Sequence, residues 1–279
     1  MNKKVEFHCH TTASDGNLSP INVIERAKKK NISIIAITDH DTTLGLSEGL
    51  SAGEELDIKV IPGIELSTIH NDESIHILGF FKDESYKNKK LQVFLKSIED
   101  SRVSRGEKIV KNLKKYFDID IDYEKVREKS NGVIARPHIA STIVDAGYPY
   151  EWEHIFKKFL SNDSPAYVHN KKVSIEEGIK ILKEHNAIVI LAHPKLVKKT
   201  PLEELIKYGF DGIEAVYYQN FKRETEQLTS LARRNNLLIT CGSDFHGIIE
   251  SDTKHGDIGD MSNYLQPEDL EKFLNALYK

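Results

Sequence analysis

Histidines and carboxylates recur at the ends of short apolar segments of this chain. His8 and His10 close the first segment, VEFHCH. Because strand side chains alternate, both imidazoles leave on one face while Cys9 leaves on the other. Side chains of the same class follow later segments, at Asp15, His40, Glu65, His76, His193, Asp244 and His246. Imidazole nitrogens and carboxylate oxygens are common donors to divalent metals, so the pattern predicts a metal centre.

This ligand set is too large for a single tetrahedral ion. Its six histidines, two aspartates and one glutamate suit two or three divalent ions that share bridging carboxylates. The mixed donors favour Mn²⁺, Zn²⁺ or Fe²⁺ over Ca²⁺, and manganese is our first choice. Ions about 3.5–4 Å apart polarise a phosphoryl oxygen and lower the pKa of a bridging water. We therefore predict that a metal-bridging hydroxide hydrolyses a phosphomonoester, with catalytic roles for Asp15, His40, Asp244 and His246.

Structural explanations compete with each of these assignments. A lone His-x-His motif is usually structural, but burying so many titratable groups without a metal would be costly. Asp39 could orient His40 or shuttle a proton, and a structural or helix-capping role is an equal alternative. Asp41 is interpreted as a helix-start residue and Glu214 as a candidate supporting residue. The histidines left out of the centre, as surface or supporting groups, are His70, His154, His169, His185 and His255.

The elements that must position these residues follow an α/β pattern. Apolar runs rich in β-branched residues alternate with segments of helical spacing, such as residues 20–30 and 174–185. Ser19 is a predicted N-cap and Pro20 a predicted first helical residue. The runs are nearly continuous in Val, Ile and Leu, which is typical of parallel strands covered on both faces. A barrel is therefore favoured over an antiparallel sandwich.

Residues 83–163 interrupt the alternation with a long, charged, helix-favouring stretch. We predict an inserted helical substrate-binding subdomain here, with residues 1–82 and 164–279 forming the barrel. Arg102 and Arg105 are three residues apart and would share one helix face, where guanidinium groups could bind phosphate. A solvated charged face is the alternative for either arginine. Arg136 and His138 lie in a less charged segment and complete the predicted substrate-binding set.

Composition narrows the classes of function. The chain has 279 residues and a net charge of −4, which excludes a generic polyanion-binding role. Its two cysteines are too few for a disulfide framework and fit a reducing compartment. No segment is typical of a signal peptide or a membrane span. We expect a cytoplasmic protein with no membrane contact and no stable protein partner.

The motifs HCHTTASDG, ITDHDT, PGIEL, HILGF, AHP and GSDFHG resemble, in order, those of the PHP (polymerase and histidinol phosphatase) superfamily. This resemblance implies a distorted (β/α)₇ barrel of the α/β class. It also implies a two- or three-metal site. The implied ligands fall on the nine positions already named: His8, His10, Asp15, His40, Glu65, His76, His193, Asp244 and His246.

Within the superfamily, the chain resembles the branch that hydrolyses nucleoside 3′,5′-bisphosphates and trims short 5′-phosphorylated RNA. That branch carries an Arg-x-His motif in its insertion, which Arg136 and His138 match, although Pro137 separates them where a threonine is more frequent. The implied substrate is a phosphorylated nucleotide or short RNA. Two alternatives stay open: a phosphatase for histidinol phosphate or another small molecule, and a noncatalytic PHP metal module.

Overall fold

A seven-stranded sheet lies at the centre of the fold in the computed structural model, which describes residues 3–130, 134–168, 173–247 and 252–278. Each strand pairs with the strand that follows it along the chain. All neighbours run parallel except β4, which is antiparallel to β3 and β5. The strands are β1 (Lys4–Glu6), β2 (Ile32–Ile37), β3 (Lys59–His70), β4 (Glu73–Phe81), β5 (Ala187–Leu191), β6 (Gly212–Tyr217) and β7 (Leu238–Gly242).

The two edges of the sheet meet just beyond β1 and β7. Cys9 and Phe245 form a parallel bridge there. The His10 amide donates to the Phe245 carbonyl at 2.8 Å, and the Phe245 amide donates to the His8 carbonyl at 3.3 Å. The sheet is thus nearly closed, and the predicted α/β barrel is confirmed.

The expectation of parallel strands is wrong for β4. Only Asn71 and Asp72 separate it from β3, and both have positive φ, 48° and 55°. A two-residue turn of this kind joins antiparallel strands and leaves no room for a crossover helix. His76 therefore lies in the first half of a strand that runs antiparallel to its neighbours, and not at the carboxyl end of a parallel strand.

The helices surround this sheet. Helix α1 begins at Pro20 as predicted, and the Ser19 hydroxyl accepts a hydrogen bond from the Asn22 amide at 3.2 Å. Helix α7 is capped in the same way by Ser174. In the described ranges the α-helices are α1 (Pro20–Lys29), α2 (Leu46–Leu56), α3 (Lys89–Phe117), α4 (Tyr123–Ser130), α5 (Arg136–Asp145), α6 (Trp152–His154), α7 (Ile175–Glu184), α8 (Leu202–Leu205), α9 (Lys222–Arg234) and α10 (Pro267–Tyr278).

The buried apolar side chains of the described residues form two hydrophobic clusters. The larger one packs the sheet against its surrounding helices and includes Leu91, Leu95 and Ile98 from the first half of α3. The smaller one lies within residues 109–166 and includes Ile109 and Leu113 from the second half of the same helix. Residues 83–163 thus supply most of a separate core, and their division from the barrel as a subdomain stays a prediction. Nowhere in the described ranges is a helix both long and apolar enough to cross a membrane.

We expect Phe273→Ala in α10 to destabilise the barrel by about 3–5 kcal/mol, as large aromatic truncations in cores do. The Phe273 ring is fully buried, and its centroid lies 4.8 Å from that of Phe7 and 5.1 Å from that of Phe80. Urea denaturation followed by circular dichroism measures the loss. The control Tyr264→Ala removes a ring that is 64% exposed and should change stability by no more than about 0.5 kcal/mol. Equal effects of the two substitutions would contradict this assignment of the core.

Candidate metal centre

The carboxylate of Glu65 is the hub of the site. Glu65 lies in the middle of the long strand β3 and is fully buried. Five of the predicted ligands place a ring nitrogen beside its oxygens: His8 and His10 at 3.2 Å, His40 at 3.1 Å, His76 at 2.9 Å and His193 at 2.8 Å. The structure therefore brings together side chains from β3, β4 and the segments that follow β1, β2 and β5.

Asp244 completes the group around the first two histidines. Its Oδ1 lies 3.4 Å from His8 Nε2 and 3.2 Å from His10 Nε2. Asp244 follows β7 with φ of 55°, and His193 follows β5 with φ of 27°. Left-handed backbone is uncommon for residues other than glycine, and such strain collects at functional sites. Two of the predicted ligands are thus held in conformations that the surrounding barrel has to enforce.

Asp15 brings the loop after β1 over the same strand ends. Its carboxylate lies 3.8 Å from His10 Nδ1, 4.0 Å from His40 Nε2 and 3.4 Å from His246 Nε2. The other ring nitrogen of His246 lies 2.8 Å from the Asp244 carbonyl oxygen, which leaves Nε2 directed at Asp15. All nine predicted ligands, including the four predicted catalytic residues, therefore lie in one cluster.

The donor set fits divalent cations. Several buried atoms in the cluster have no hydrogen-bond partner among the described residues: both ring nitrogens of His10, His8 Nε2, His40 Nδ1, Asp15 Oδ1 and Glu65 Oε2. Buried polar atoms are normally paired, so unpaired atoms that converge on one point indicate a bound ligand such as a cation. Within the part of the chain that the structure describes, ligand atoms within 4.8 Å of one another occur in four groups: His10, Asp15, His40 and His246; His8, His10, Glu65 and Asp244; His40, Glu65 and His76; and Asp244, His246 and His255.

Electrostatics within the cluster strengthen this interpretation. Burial alone would raise the pKa of Glu65, but the nearby imidazoles, His40 foremost, hold that pKa well below its usual range. Burial alone would lower the pKa of His10, but the adjacent carboxylates of Asp244 and Glu65 raise it to about 10. In metal-free protein a proton on His10 therefore occupies a position where a cation would bind.

Asp39 supports the loop that carries Asp15. It is buried, and its carboxylate accepts hydrogen bonds from the Thr11 amide at 2.7 Å, the Thr11 hydroxyl at 2.8 Å and the Ser14 hydroxyl at 2.6 Å. The contacts of Asp39 thus correspond to a structural role, which is the alternative to orienting His40 or shuttling a proton. The interpretation of Asp41 as a helix-start residue is wrong, because Asp41 is buried against the Arg102 guanidinium and α2 begins only at Leu46.

His255 lies closer to the cluster than the sequence suggested. Its ring centroid is 4.2 Å from that of His246, and its Nε2 lies 3.9 Å from Asp244 Oδ2. Its Nδ1 lies 2.7 Å from the Asp252 carboxylate. His70, His154 and His185 instead contact Glu204, Tyr150 and the Ile181 carbonyl, and His169 lies outside the described residues. No spacing rule joins His255 to the other histidines, which explains why the pattern of strand ends missed it.

The predicted substrate-binding residues lie together beside the cluster. Arg102 and Arg105 are both buried, so the solvated-face alternative does not describe them. Arg105 Nε donates to the Val168 carbonyl, and its guanidinium lies 5.3 Å from the centre of the Tyr167 ring. Burial, together with the positive charges of Arg136 and Arg102, lowers the pKa of Arg105 to about 10. A concentration of buried positive charge of this kind is suited to an anion.

His138 and Pro137 fit the first turn of α5. The Ala135 amide donates to His138 Nδ1 at 3.1 Å, so a neutral His138 carries its proton on Nε2. Pro137 lies in the first helical turn, where the missing amide costs nothing. The proline is thus compatible with the helix start that carries Arg136 and His138.

Comparison with known proteins agrees with this geometry. Residues 6–157 match the PHP domain family, and the chain belongs to that family. A 5′-3′ exoribonuclease of Haemophilus influenzae is 32% identical over 88% of this chain and 91% of its own length. A 3′,5′-nucleoside bisphosphate phosphatase of Chromobacterium violaceum is 28% identical over 94% of both chains. A solved structure from Bifidobacterium adolescentis, of a proposed metal-dependent phosphoesterase, superposes with a TM-score of 0.85 at 29% identity, over 99% of this chain and 97% of that one.

We expect divalent metal binding to release protons at neutral pH. Metal ligation needs neutral imidazoles, whereas the pKa of His10 is about 10 and that of His8 lies well above its usual value in the metal-free cluster. Each displaced proton should weaken the apparent Mn²⁺ affinity by about tenfold per unit fall in pH, so affinity rises from roughly pH 6 to roughly pH 8. Calorimetry in buffers of different ionisation enthalpy counts the protons. Binding enthalpies that do not depend on the buffer would show that no proton is displaced.

Proposed function

We propose that this protein is a metal-dependent phosphoesterase that removes the 3′-phosphate of nucleoside 3′,5′-bisphosphates and acts on short 5′-phosphorylated RNA. The observation that carries the proposal is the fully buried Glu65 carboxylate within 3.2 Å of five imidazole nitrogens, flanked by Asp15 and Asp244. The relatives named above support a phosphoester substrate. The proposed setting is the cytoplasm, because Cys9 and Cys241 are both free thiols.

Two or three Mn²⁺ ions are the proposed cofactors. His8, His10, Glu65 and Asp244 would hold one ion; His40, His76 and His193 would hold a second with Glu65; and Asp15 and His246 would hold a third with His10 or His40. Bound ions supply Lewis acidity toward a phosphoryl oxygen and lower the pKa of a ligated water.

The protein side chains bind and orient the substrate. His138 offers its Nε2 proton to a phosphate or ribose oxygen, because its Nδ1 is engaged by the Ala135 amide. The Nε atom of Arg102 is buried and has no hydrogen-bond partner among the described residues, so it is a free donor. Holding a second phosphate fixes the scissile one over the metal centre, and positioning of this kind contributes several kcal/mol to catalysis.

The arginines favour a bisphosphate over a simple monoester. One phosphate needs only the metal centre, whereas three guanidinium groups beside it match a second anion. Histidinol phosphate and similar small monoesters lack this second anion and would leave the buried Nε donor of Arg102 without a partner. Hydrolysis of 3′,5′-bisphosphoadenosine, 5′-phosphorylated oligoribonucleotides and histidinol phosphate, measured in parallel, separates these substrates. Metal binding with no turnover of any of them would favour a noncatalytic module.

We expect Asp244→Ala to lower kcat/KM by at least about 10³-fold, because it removes a carboxylate shared by two ligand groups. The barrel should stay folded, since the Asp244 side chain contributes to the polar site and not to the hydrophobic core. Phosphate release measures activity, and circular dichroism with metal analysis checks the fold and the ion content. Full turnover by a metal-loaded Asp244→Ala enzyme would refute the assignment.

We expect Arg136→Ala to raise KM for 3′,5′-bisphosphoadenosine by about tenfold to 100-fold, as the loss of a charge-assisted hydrogen bond does. Turnover of p-nitrophenyl phosphate, which has one phosphate, should be nearly unchanged. Arg136→Lys keeps the charge but loses the planar donor pair, so an intermediate KM is expected. The control is Arg127→Ala, which removes an exposed arginine paired with Glu124. Equal losses on both substrates would assign Arg136 a structural role.

A further inference from the structure

Strand β6 carries none of the predicted metal ligands, yet it faces the metal centre with two buried polar side chains. Glu214 and Tyr217 are both completely buried. Each of them contacts a predicted ligand that comes from another strand. The contacts of these two residues specify how three ligands are held.

Glu214 joins two ligands through one carboxylate. Its oxygens lie 3.0 Å and 3.2 Å from His8 Nδ1, and Oε2 also accepts the backbone N–H of His193 at 2.8 Å. An Nδ1–H that donates to Glu214 leaves the lone pair of a neutral His8 on Nε2. That nitrogen faces the Glu65 and Asp244 carboxylates at 3.2 Å and 3.4 Å. The proton sits on the side away from the centre, and the lone pair points into it.

Gly242 makes room for this contact. A Cβ atom at position 242 would lie 2.2 Å from Glu214 Oε1 and 2.3 Å from His8 Cβ. Neither distance is tolerated between nonbonded heavy atoms, so any larger residue at the end of β7 would displace the pair. Residues from β6, from the end of β7 and from the segment after β1 therefore meet at the Glu214–His8 contact.

Tyr217 acts on Asp244 from the same strand. Its hydroxyl donates to Asp244 Oδ2 at 3.1 Å and accepts a hydrogen bond from Gln219 Nε2 at 3.0 Å. A tyrosine hydroxyl carries its proton at neutral pH and a carboxylate oxygen can only accept, so the phenol is the donor in the contact with Asp244. Because Oδ2 is engaged, Oδ1 is the oxygen left facing His8 and His10.

We propose that Glu214 and Tyr217 are positioning residues for the metal centre: Glu214 fixes the tautomer and ring orientation of His8 and the backbone of His193, and Tyr217 limits Asp244 to ligation through Oδ1. Hydrogen bonds from the far side of a ligand orient it and raise its affinity for metal, and their loss typically weakens binding by about 10–100-fold. The inference rests on the proposed function, because it assumes that the centre binds cations.

Direct titration with Mn²⁺ tests the inference without reference to turnover. We expect Glu214→Ala to weaken binding by about 10–100-fold, Tyr217→Phe by about tenfold, and Glu214→Gln by less than Glu214→Ala, because the amide oxygen still accepts the Nδ1 proton. The matched control is Asp269→Asn, which neutralises a buried carboxylate in α10 that pairs with Arg233 away from the centre. It should bind Mn²⁺ as the wild type does.

A nitrogen–proton NMR spectrum of the Zn²⁺-loaded protein reads the tautomer of His8. We expect a protected Nδ1–H resonance from His8 in the wild type and in Glu214→Gln, and its loss in Glu214→Ala. Gly242→Ala should reproduce the Glu214→Ala spectrum through displacement of the same pair. Should either alanine variant fail to fold, Glu214→Gln and Tyr217→Phe still decide the question through their Mn²⁺ affinities.

The outcomes separate this inference from the proposed function. Wild-type protein that binds no divalent metal would overturn the metal centre itself. If the wild type binds metal, an unchanged affinity and an unchanged His8 resonance in Glu214→Ala would overturn only the positioning role of Glu214. An unchanged affinity in Tyr217→Phe would likewise overturn only that of Tyr217. An equal loss of affinity in Asp269→Asn would also overturn them, because the effect would then follow from any buried charge.

Discussion

The buried carboxylate of Glu65 is the constraint that the rest of the structure depends on. Removing a carboxylate from water costs several kcal/mol unless compensating charge surrounds it. Five imidazole nitrogens within 3.2 Å provide that compensation only if they carry protons or share cations with it. When metal is absent, a proton on His10 provides part of this compensation, because the carboxylates of Asp244 and Glu65 raise the pKa of that imidazole to about 10. Bound cations compensate the charge of the Glu65 carboxylate better than protons do, because several donors can ligate one ion at once.

The antiparallel direction of β4 also helps to surround the buried Glu65 carboxylate. Strand β3 is twelve residues long, and its tight turn returns the chain as β4 beside it. His76 pairs with Ser67, two residues from Glu65, so Glu65 and His76 share one face of the hairpin. A crossover helix would have carried the next strand away at this point. The hairpin instead supplies a carboxylate and an imidazole to one centre from adjacent strands.

How much could be predicted from the sequence depends on the distance along the chain between contacting groups. The His8 and His10 pair follows from the local alternation of a strand, and the α/β class follows from the alternation of apolar runs and helices. Glu214 and His8 are 206 residues apart, and no periodicity connects them. The antiparallel direction of β4 is decided by a two-residue turn, Asn71 and Asp72, between two apolar runs that each resemble a parallel strand. Asp41 was misassigned for the same reason, because its partner Arg102 lies 61 residues away.

Helix α3 explains how a separate group of helices can serve a site built on the barrel. Its first half packs into the main core through Leu91 and Leu95, and its second half packs into the smaller cluster through Ile109 and Leu113. Arg102 and Arg105 lie between these halves on one uninterrupted helix. The ion pair of Arg102 with Asp41 and its 3.0 Å contact with the Ser67 hydroxyl tie this point of α3 to the strand that carries Glu65. A continuous helix anchored in both cores holds its guanidinium groups at a fixed distance from the metal ligands, which a flexible loop could not do.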